Sequence, residues 1–459
     1  AAGLNACLDK IQELLAAATA DLATKEDLEK VKKLMEEFAP ELAALRGRVD
    51  ALEVRTATLE KQQFSTTTKL SGEVIFSIAD TFGNAATRRG NDALIDANPN
   101  VPGIQPVDDD DNTETIFSDR VRLSLDSSFT GKDRLRVRLN ANNTTAFSGA
   151  NLTGTNMTRL SFDGSNGNSV EVDKLFYRFP VGEKLRIQID AVNDEYYDGL
   201  VSSLSPFESS GQGSISRFGR FNPIYRTNSP GLPGSAGVTF EYKLSDALAL
   251  QGGFTSDRNS NDPGSKNGLF NGSYTAIGQL VFRPAPAFDI GLTYIRAYYP
   301  GADANLTSST GSSYAANPFN SNPTSADVFG AQLQWRVSKK LIVGGWYGRT
   351  FAYQSNSSNE AQIQNWAAFL GFPDLGRKGN LGGLLVGGPP RVLDTDYRPA
   401  ANTRRRLDED QAIHVEAFYR YRINDNISIT PGVFVIFNPE NQSSNDTQYV
   451  GVVRTTFTF

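Results

Sequence analysis

Basic side chains recur at every second position over several short stretches of the chain. Arg120 and Arg122 lie in one stretch, and Arg134, Arg136 and Arg138 in the next. Arg178, Lys184 and Arg186 follow in two more. On an extended strand, residues two apart share a face. The eight charges therefore fall on one face of four neighbouring strands. A wall of like charge biases which ions move along it. Two readings stay open. The wall screens for small anions or sets a field across a lumen, or its members are solvated and paired with acids such as Asp126, Asp190 and Glu171.

Other chemistry is sparse. Cys7 is the only cysteine and His414 the only histidine. An intrachain disulfide is therefore excluded, and so is a zinc site that needs about four His/Cys ligands. No metal, no cofactor and no catalytic residue is assigned. A Ser–His pair at His414, which shares its parity with Glu416 and Arg420, is the enzymatic alternative, but one histidine among many serines makes no constellation. The run Asp108 to Asp111 reads as solvated loop rather than a divalent-cation site. Arg404, Arg405 and Arg406 read as exposed rather than as contacts to lipopolysaccharide phosphate. The glycines from Gly379 to Gly388 lack the lysine of a phosphate loop, and Pro389-Pro390 ends the segment. Leu4 to Cys7 is a poor lipobox, so Cys7 is expected to be buried or inert.

The 459 residues carry a net charge of −6, which argues against a broad nucleic-acid surface. The longest apolar runs, such as Gly432 to Phe437, fall far short of the ~18 residues of a membrane helix. No secretory signal precedes Ala1, so the sequence is read as a mature form or as lacking an N-terminal part.

Composition changes near Phe64. From Leu28 an apolar 3-4 spacing runs through Val31, Met35, Phe38, Leu42, Leu45, Val49 and Leu52 to Thr56, Leu59 and Gln63. Such a seam predicts a coiled-coil stalk over 24–63, with an N-cap near Thr24. Pro40 predicts a kink or a new helix start. Thr56 and Gln63 make the seam polar, which fixes register or oligomer state.

Beyond Lys69 the period becomes two. Val121, Leu123 and Leu125 alternate with Arg120, Arg122, Ser124 and Asp126; Phe329, Ala331, Leu333 and Trp335 alternate with Gly330, Gln332, Gln334 and Arg336. A soluble sandwich alternates in the same way. Connection lengths discriminate better. Seven short turns are expected, near 131–133, 181–183, 244–246, 284–286, 338–339, 373–379 and 424–426. Longer polar segments, among them 81–115, 194–235 and 354–362, alternate strictly with them. The count is sixteen antiparallel strands, even in number, with both ends on the short-turn side. This is the layout of an all-β transmembrane barrel of the bacterial outer membrane, wide enough at sixteen strands for an aqueous channel. Lipid offers no partner to a strand edge, so the sheet must close. Apolar residues are expected outside and polar ones inside, with Tyr298, Tyr299, Tyr347 and Tyr353 in interfacial girdles. The chain ends on the aromatic Phe459, as bacterial barrels commonly do.

Five segments carry a family resemblance: Ala1 to Ile11, Ala23 to Glu53, Gln63 to Phe76, Phe372 to Gly387 and Glu416 to Phe434. Together they resemble cyanobacterial outer-membrane porins related to the carbohydrate-selective porins, some of which are labelled iron uptake porins. The resemblance implies three parts: the tail of an S-layer homology domain and linker at 1–23, the periplasmic coil at 24–63 and the barrel at 64–459. It also implies that peptidoglycan is met only through the S-layer homology domain, which this sequence lacks. A homotrimer in outer-membrane lipid and lipopolysaccharide is expected, with no nucleic-acid partner. The third long loop of general porins folds inward, and the resemblance implies the same for 194–235. Asp194, Glu195, Asp198 and Glu208, then Arg217, Arg220 and Arg226, would form the constriction opposite the basic wall. The expected function is passive diffusion of small hydrophilic solutes and inorganic ions. The alternative is a structural tether between outer membrane and cell wall with little conductance.

Overall fold

The computed structural model describes residues 2–19, 25–62, 68–87, 113–149, 152–227, 235–256, 259–301, 304–400 and 404–459. The chain divides into two units, Ala1–Thr66 and Thr67–Phe459.

The first unit is helical, with α1 at Ala2–Thr19 and α2 at Lys25–Gln62. Glu26 and Asp27 place acidic charge in the first turn of α2, where the helix dipole favours it. Pro40 does not start a new helix: α2 runs on through it. Proline lacks one amide donor, and the seam on the opposite side keeps its spacing. The seam residues Leu28, Val31, Met35, Phe38, Leu45, Val49 and Leu52 are all exposed in the single chain. Cys7 is exposed, not buried.

The second unit is a closed antiparallel barrel of sixteen strands. In chain order these are β1 (Thr68–Phe82), β2 (Ile116–Ser127) and β3 (Arg134–Thr144), then β5 (Glu171–Val181), β6 (Leu185–Val192), β7 (Ala236–Lys243) and β8 (Leu248–Ser256). There follow β9 (Tyr274–Phe282), β10 (Phe288–Tyr299), β11 (Thr324–Ser338), β12 (Leu341–Gln354) and β13 (Glu360–Pro373). The last four are β14 (Leu381–Thr395), β15 (Ile413–Arg422), β16 (Ile427–Phe437) and β17 (Gln448–Thr458). A two-residue ladder, β4 (Gly164–Ser165), pairs with the end of β3 inside a long loop and is not a stave of the barrel. Each strand pairs with its neighbours in sequence, and β1 pairs with β17, from Glu73↔Thr458 to Phe82↔Tyr449. No edge is left open to lipid, as closure requires. At the seam, Gly72 and Phe459 exchange backbone hydrogen bonds of 2.7 and 3.1 Å. The Phe459 ring lies where a side chain on residue 72 would be, so the closing contact needs glycine there.

All seven expected short turns are present. Asp133 organises the first, accepting from the amides of Phe129 and Thr130, the hydroxyls of Ser128 and Thr130, and Tyr177 Oη. These bonds, led by Thr130, hold its carboxyl well below the usual range. The strict alternation of short and long connections fails once. Residues 355–359, between β12 and β13, make a five-residue loop, because strand pairing extends further into the polar sequence than its composition suggested.

Outward faces are apolar, as on β1 with Leu70, Phe76, Ile78 and Phe82, and on β11 with Phe329, Leu333 and Trp335. The inward faces differ from the expectation. On β10 to β13 they carry Ile295, Ala297, Tyr299, Ala326, Val328, Ala352, Ala361 and Ile363, all buried. The long loops pack on them, so these positions meet protein rather than water. Tyr299 belongs here and is not a girdle residue, because its odd parity on β10 points it inward. Tyr298, Tyr347 and Tyr353 face outward.

Candidate pore and the loop across it

The third long loop, between β6 and β7, is the largest inward element. Described to Thr227 and again at Ser235, it buries Tyr196, Leu204, Phe207, Ile215, Phe221 and Tyr225. Phe207 packs between Phe369 and Phe418, with ring centroids at 5.3 and 5.0 Å. Ile224 fills the space left by the missing side chains of Gly330 and Gly348 on β11 and β12. Asn222 Nδ2 donates to the Tyr347 carbonyl at 3.1 Å. A loop rich in polar residues thus crosses the barrel on aromatic and aliphatic anchors.

The second long loop also turns inward. Phe147, Met157, Leu160 and Phe162 pack with Ile75, Val450 and Val452. On the side of β1 to β5 the interior holds a polar cavity of about 880 Å³. Seven arginines line it (Arg120, Arg122, Arg136, Arg138, Arg159, Arg217 and Arg220), and so do seven carboxylates (Glu73, Asp163, Glu171, Asp173, Glu195, Asp198 and Glu208).

The basic wall forms a paired network. Arg120 meets Glu73 at 2.7 Å. Arg134 and Arg136 both bind Asp126, at 2.6 and 2.7 Å. Arg138 makes a bidentate bond to Asp173, at 2.7 and 2.9 Å, and Arg122 lies 3.6 Å from the same carboxylate. Arg136 and Arg178 sit over the Phe176 ring, at 5.9 and 5.3 Å. Arg134 and Arg178 share the inward face but do not reach the cavity. Two expected members lie elsewhere. Lys184 is exposed in the β5–β6 turn, and Arg186, one step into β6, pairs with Glu241 at 2.6 Å. β5 ends at Val181, so Lys184 lies outside the alternation, whereas Arg186 keeps the inward parity of Gln188 and Asp190 but stands at the end of β6, beside Glu241 rather than the cavity.

The loop acids come against the wall. Asp198 lies 3.2 Å from Lys174 and 3.7 Å from Arg138. Burial raises its carboxyl, but Lys174 and then Arg138 outweigh this and hold it well below the usual range. Glu195 is 3.6 Å from Lys174 and accepts from Tyr197 Oη. Burial pushes Glu208 up to about 7, against the hydrogen bond from Ser203. Asp194 is the exception. It is fully buried, takes a 2.5 Å bond from Thr255 Oγ1 on β8, and turns away from the cavity. Arg217 donates to Ser308 from the next inward loop, and Arg220 lies over Tyr197 and Phe221 at 5.1 and 5.0 Å. Arg226 is buried and donates to the Arg217 carbonyl at 2.9 Å.

Sequence reasoning missed Lys174, Glu73, Asp173, Arg159 and Asp163. Strand parity could have found the first two. Lys174 lies two residues before Phe176 and four before Arg178, and Glu73 two before Ile75. Asp173 reaches the cavity only because the β3–β5 register shifts at Arg138/Leu139. Arg159 and Asp163 arrive on an inward loop, which no alternation marks. The run Asp108 to Asp111 lies outside the described residues. Of the triple arginine, Arg404 and Arg405 are exposed, whereas Arg406 is half-buried over Tyr314, at 4.2 Å, and donates to the Asn317 carbonyl.

His414 Nε2 lies 3.2 Å from Ser216 Oγ and 3.3 Å from Glu416 Oε2. A Ser–His–acid relay needs the acid on the other ring nitrogen. Here Nδ1 has no hydrogen-bond partner, and the three side chains are buried.

An even-numbered antiparallel barrel, apolar outside, polar in part of its lumen and narrowed by an inward third loop, is a porin. The chain belongs to the OprB family of carbohydrate-selective porins, whose profile matches residues 25–459. An uncharacterized protein of Synechocystis sp. is 37% identical over all of this chain and 81% of its own length. One from Nostoc sp. is 36% identical over all of this chain and 77% of its own. Among solved structures, Pseudomonas putida OprB at high pH aligns with a TM-score of 0.54 at 11% identity, covering 89% of this chain and 97% of that one. OmpT of Vibrio cholerae in its trimer form aligns at 0.50 with 5% identity, covering 86% and 99%. Family and fold make this an outer-membrane porin and point to a channel rather than an enzyme.

Proposed function

We propose that the chain is a passive diffusion channel for small hydrophilic solutes, sugars and inorganic ions among them, whose path runs along β1 to β5. The cavity carries the reading: it is the large polar space among the described residues, and arginines and carboxylates line it in equal number. Such a lining favours a local field between paired charges over a net anion screen. A neutral polyhydroxylated solute can exchange water hydrogen bonds for bonds to these fixed donors and acceptors. Anion-favouring passage through Arg120, Arg122, Arg136 and Arg138 is correspondingly weak, because each lies close to a carboxylate.

Residues 24–63 form a coiled coil joining three copies of the chain, which extends into the periplasm towards the cell wall. Seven exposed apolar seam residues on one helix support this, since an isolated helix gains nothing from such a stripe. Thr68 begins β1 opposite Ser127, at the rim with the short turns, which are periplasmic in this class. Single-channel recording in planar bilayers, with liposome swelling by neutral sugars, tests the channel. Purified folded protein that neither conducts nor swells liposomes leaves the tether as its role. Sedimentation of the intact protein tests the trimer.

A further inference from the structure

One stretch of the third loop, residues 210–216, is held by the neighbouring strands β15 to β17: Thr456 Oγ1 donates to the Gly211 carbonyl at 2.7 Å, Arg420 to the Gln212 carbonyl at 3.0 Å, and two buried charges grip the rest. On β15, Glu416 Oε1 accepts from Ser214 Oγ at 2.7 Å and from the Ile215 amide at 2.8 Å, while Oε2 accepts from Ser216 Oγ. On β17, Arg454 donates to the carbonyls of Ser210 and Gly213, each at 2.7 Å, and of Ser214 at 3.2 Å. Ser214 thus gives its hydroxyl to a carboxylate and its carbonyl to a guanidinium. Both charges are fully buried. Hydrogen bonds to ionised groups are the stronger ones, and a buried charge stripped of its partners is costly. The third loop supplies most of the partners of both charges; Arg454 also donates to Ser161 Oγ of the second long loop at 3.1 Å. His414, stacked on Phe434 and met edge-on by Phe218, each with centroids at 5.1 Å, lies with Nε2 3.3 Å from Glu416 Oε2. A Cβ on residue 219 would press on Glu416 Oε2 and Ser214 Oγ and displace them.

We propose that Glu416 and Arg454 form a two-point clip that fixes the third loop across the lumen and so sets the conducting cross-section, with His414 as its positioning residue. The clip lies outside the polar cavity, so it acts on the pore through the loop rather than by touching solute. The inference rests on the channel reading.

The test compares single-channel records of Glu416→Ala, Gly219→Ala and the loop variant Ser214→Ala/Ser216→Ala with the unaltered protein. Folding is scored by heat-modifiable gel migration. The expected result is a folded barrel whose single conductance level gives way to a higher mean level with sublevels and added open-channel noise. Glu416→Gln, which keeps an acceptor at Oε1, should restore much of the steady level. Folded variants with unaltered conductance and noise overturn the clip. If Glu416→Ala does not fold, the two loop-side variants decide alone, since neither alters a strand. An unaltered protein that does not conduct sinks the channel reading instead, and is distinguishable from failure of the clip.

Discussion

The two sides of the barrel interior are built from the same strand grammar and end in opposite states. On β2 the inward positions are Ser118, Arg120, Arg122, Ser124 and Asp126, and the space before them stays open and polar. On β10 and β11 they include Ile295, Ala297, Tyr299, Ala326 and Val328, and loops fill the space. The strands alternate on both sides, with register shifts on the open side between β3, β5 and β6. What differs is the free energy of leaving those side chains in water. Arginine–carboxylate networks offset their lost hydration with charge-assisted hydrogen bonds, as Arg138 does with Asp173, whereas isoleucine, valine and tyrosine gain by burial at ~25 cal/mol per Å². A porin lumen is thus shaped twice, first by strand count and then by which inward faces recruit a loop.

The comparison breaks most visibly if a charge is tolerated on the packed side. Val328→Asp would bury an unpaired carboxylate, which costs on the order of several kcal/mol. We expect no heat-modifiable barrel; a folded Val328→Asp protein would show that this side is wet. Next, Phe207→Ala removes the ring between Phe369 and Phe418. It should lower unfolding free energy by about 3–5 kcal/mol, read from urea titration in detergent. A loss below about 1 kcal/mol would mean that the loop is not held by packing.

On the open side, Arg136→Ala with Arg138→Ala leaves Asp126 and Asp173 short of partners. The reversal potential in a salt gradient should shift towards cation preference, and unaltered selectivity would count against the charged lining. A smaller effect comes with pH. Glu208 is neutral below about 7 and ionised above it, so cation preference should rise as pH passes that value and should not do so in Glu208→Gln. A carboxyl raised in the folded state contributes stability that is complete below its unfolded value and lost as pH rises through about 7. The same titration should therefore show a modest fall in stability across that window. The smallest effect is at Lys184, exposed in a turn. Lys184→Ala should leave selectivity unchanged, and a shift would return it to the wall.

The strand count, the position of the barrel's two termini at the short-turn rim and all seven short turns were legible because period-two alternation and turn residues are local signals. The arginines of β2 and β3 were legible for the same reason. Lys184 and Asp194 were misplaced because parity says nothing of where a strand stops or which wall a loop residue meets. The loop 355–359 was overlong in the reading because polar composition does not mark where pairing ends.

The sequence by itself determined a closed barrel of even strand number, its outer apolar face, the charged residues available to its lumen and an apolar seam on a separate helix. All of these follow from spacing along the chain, which local backbone geometry converts directly into faces. Tertiary contacts set which carboxylate neutralises which arginine, that Phe207 and Ile224 carry the third loop across the interior, and that loops cover inward positions of β10 to β13. Those outcomes depend on residues from different strands and loops meeting in one space, where the interaction exists only after the barrel has closed.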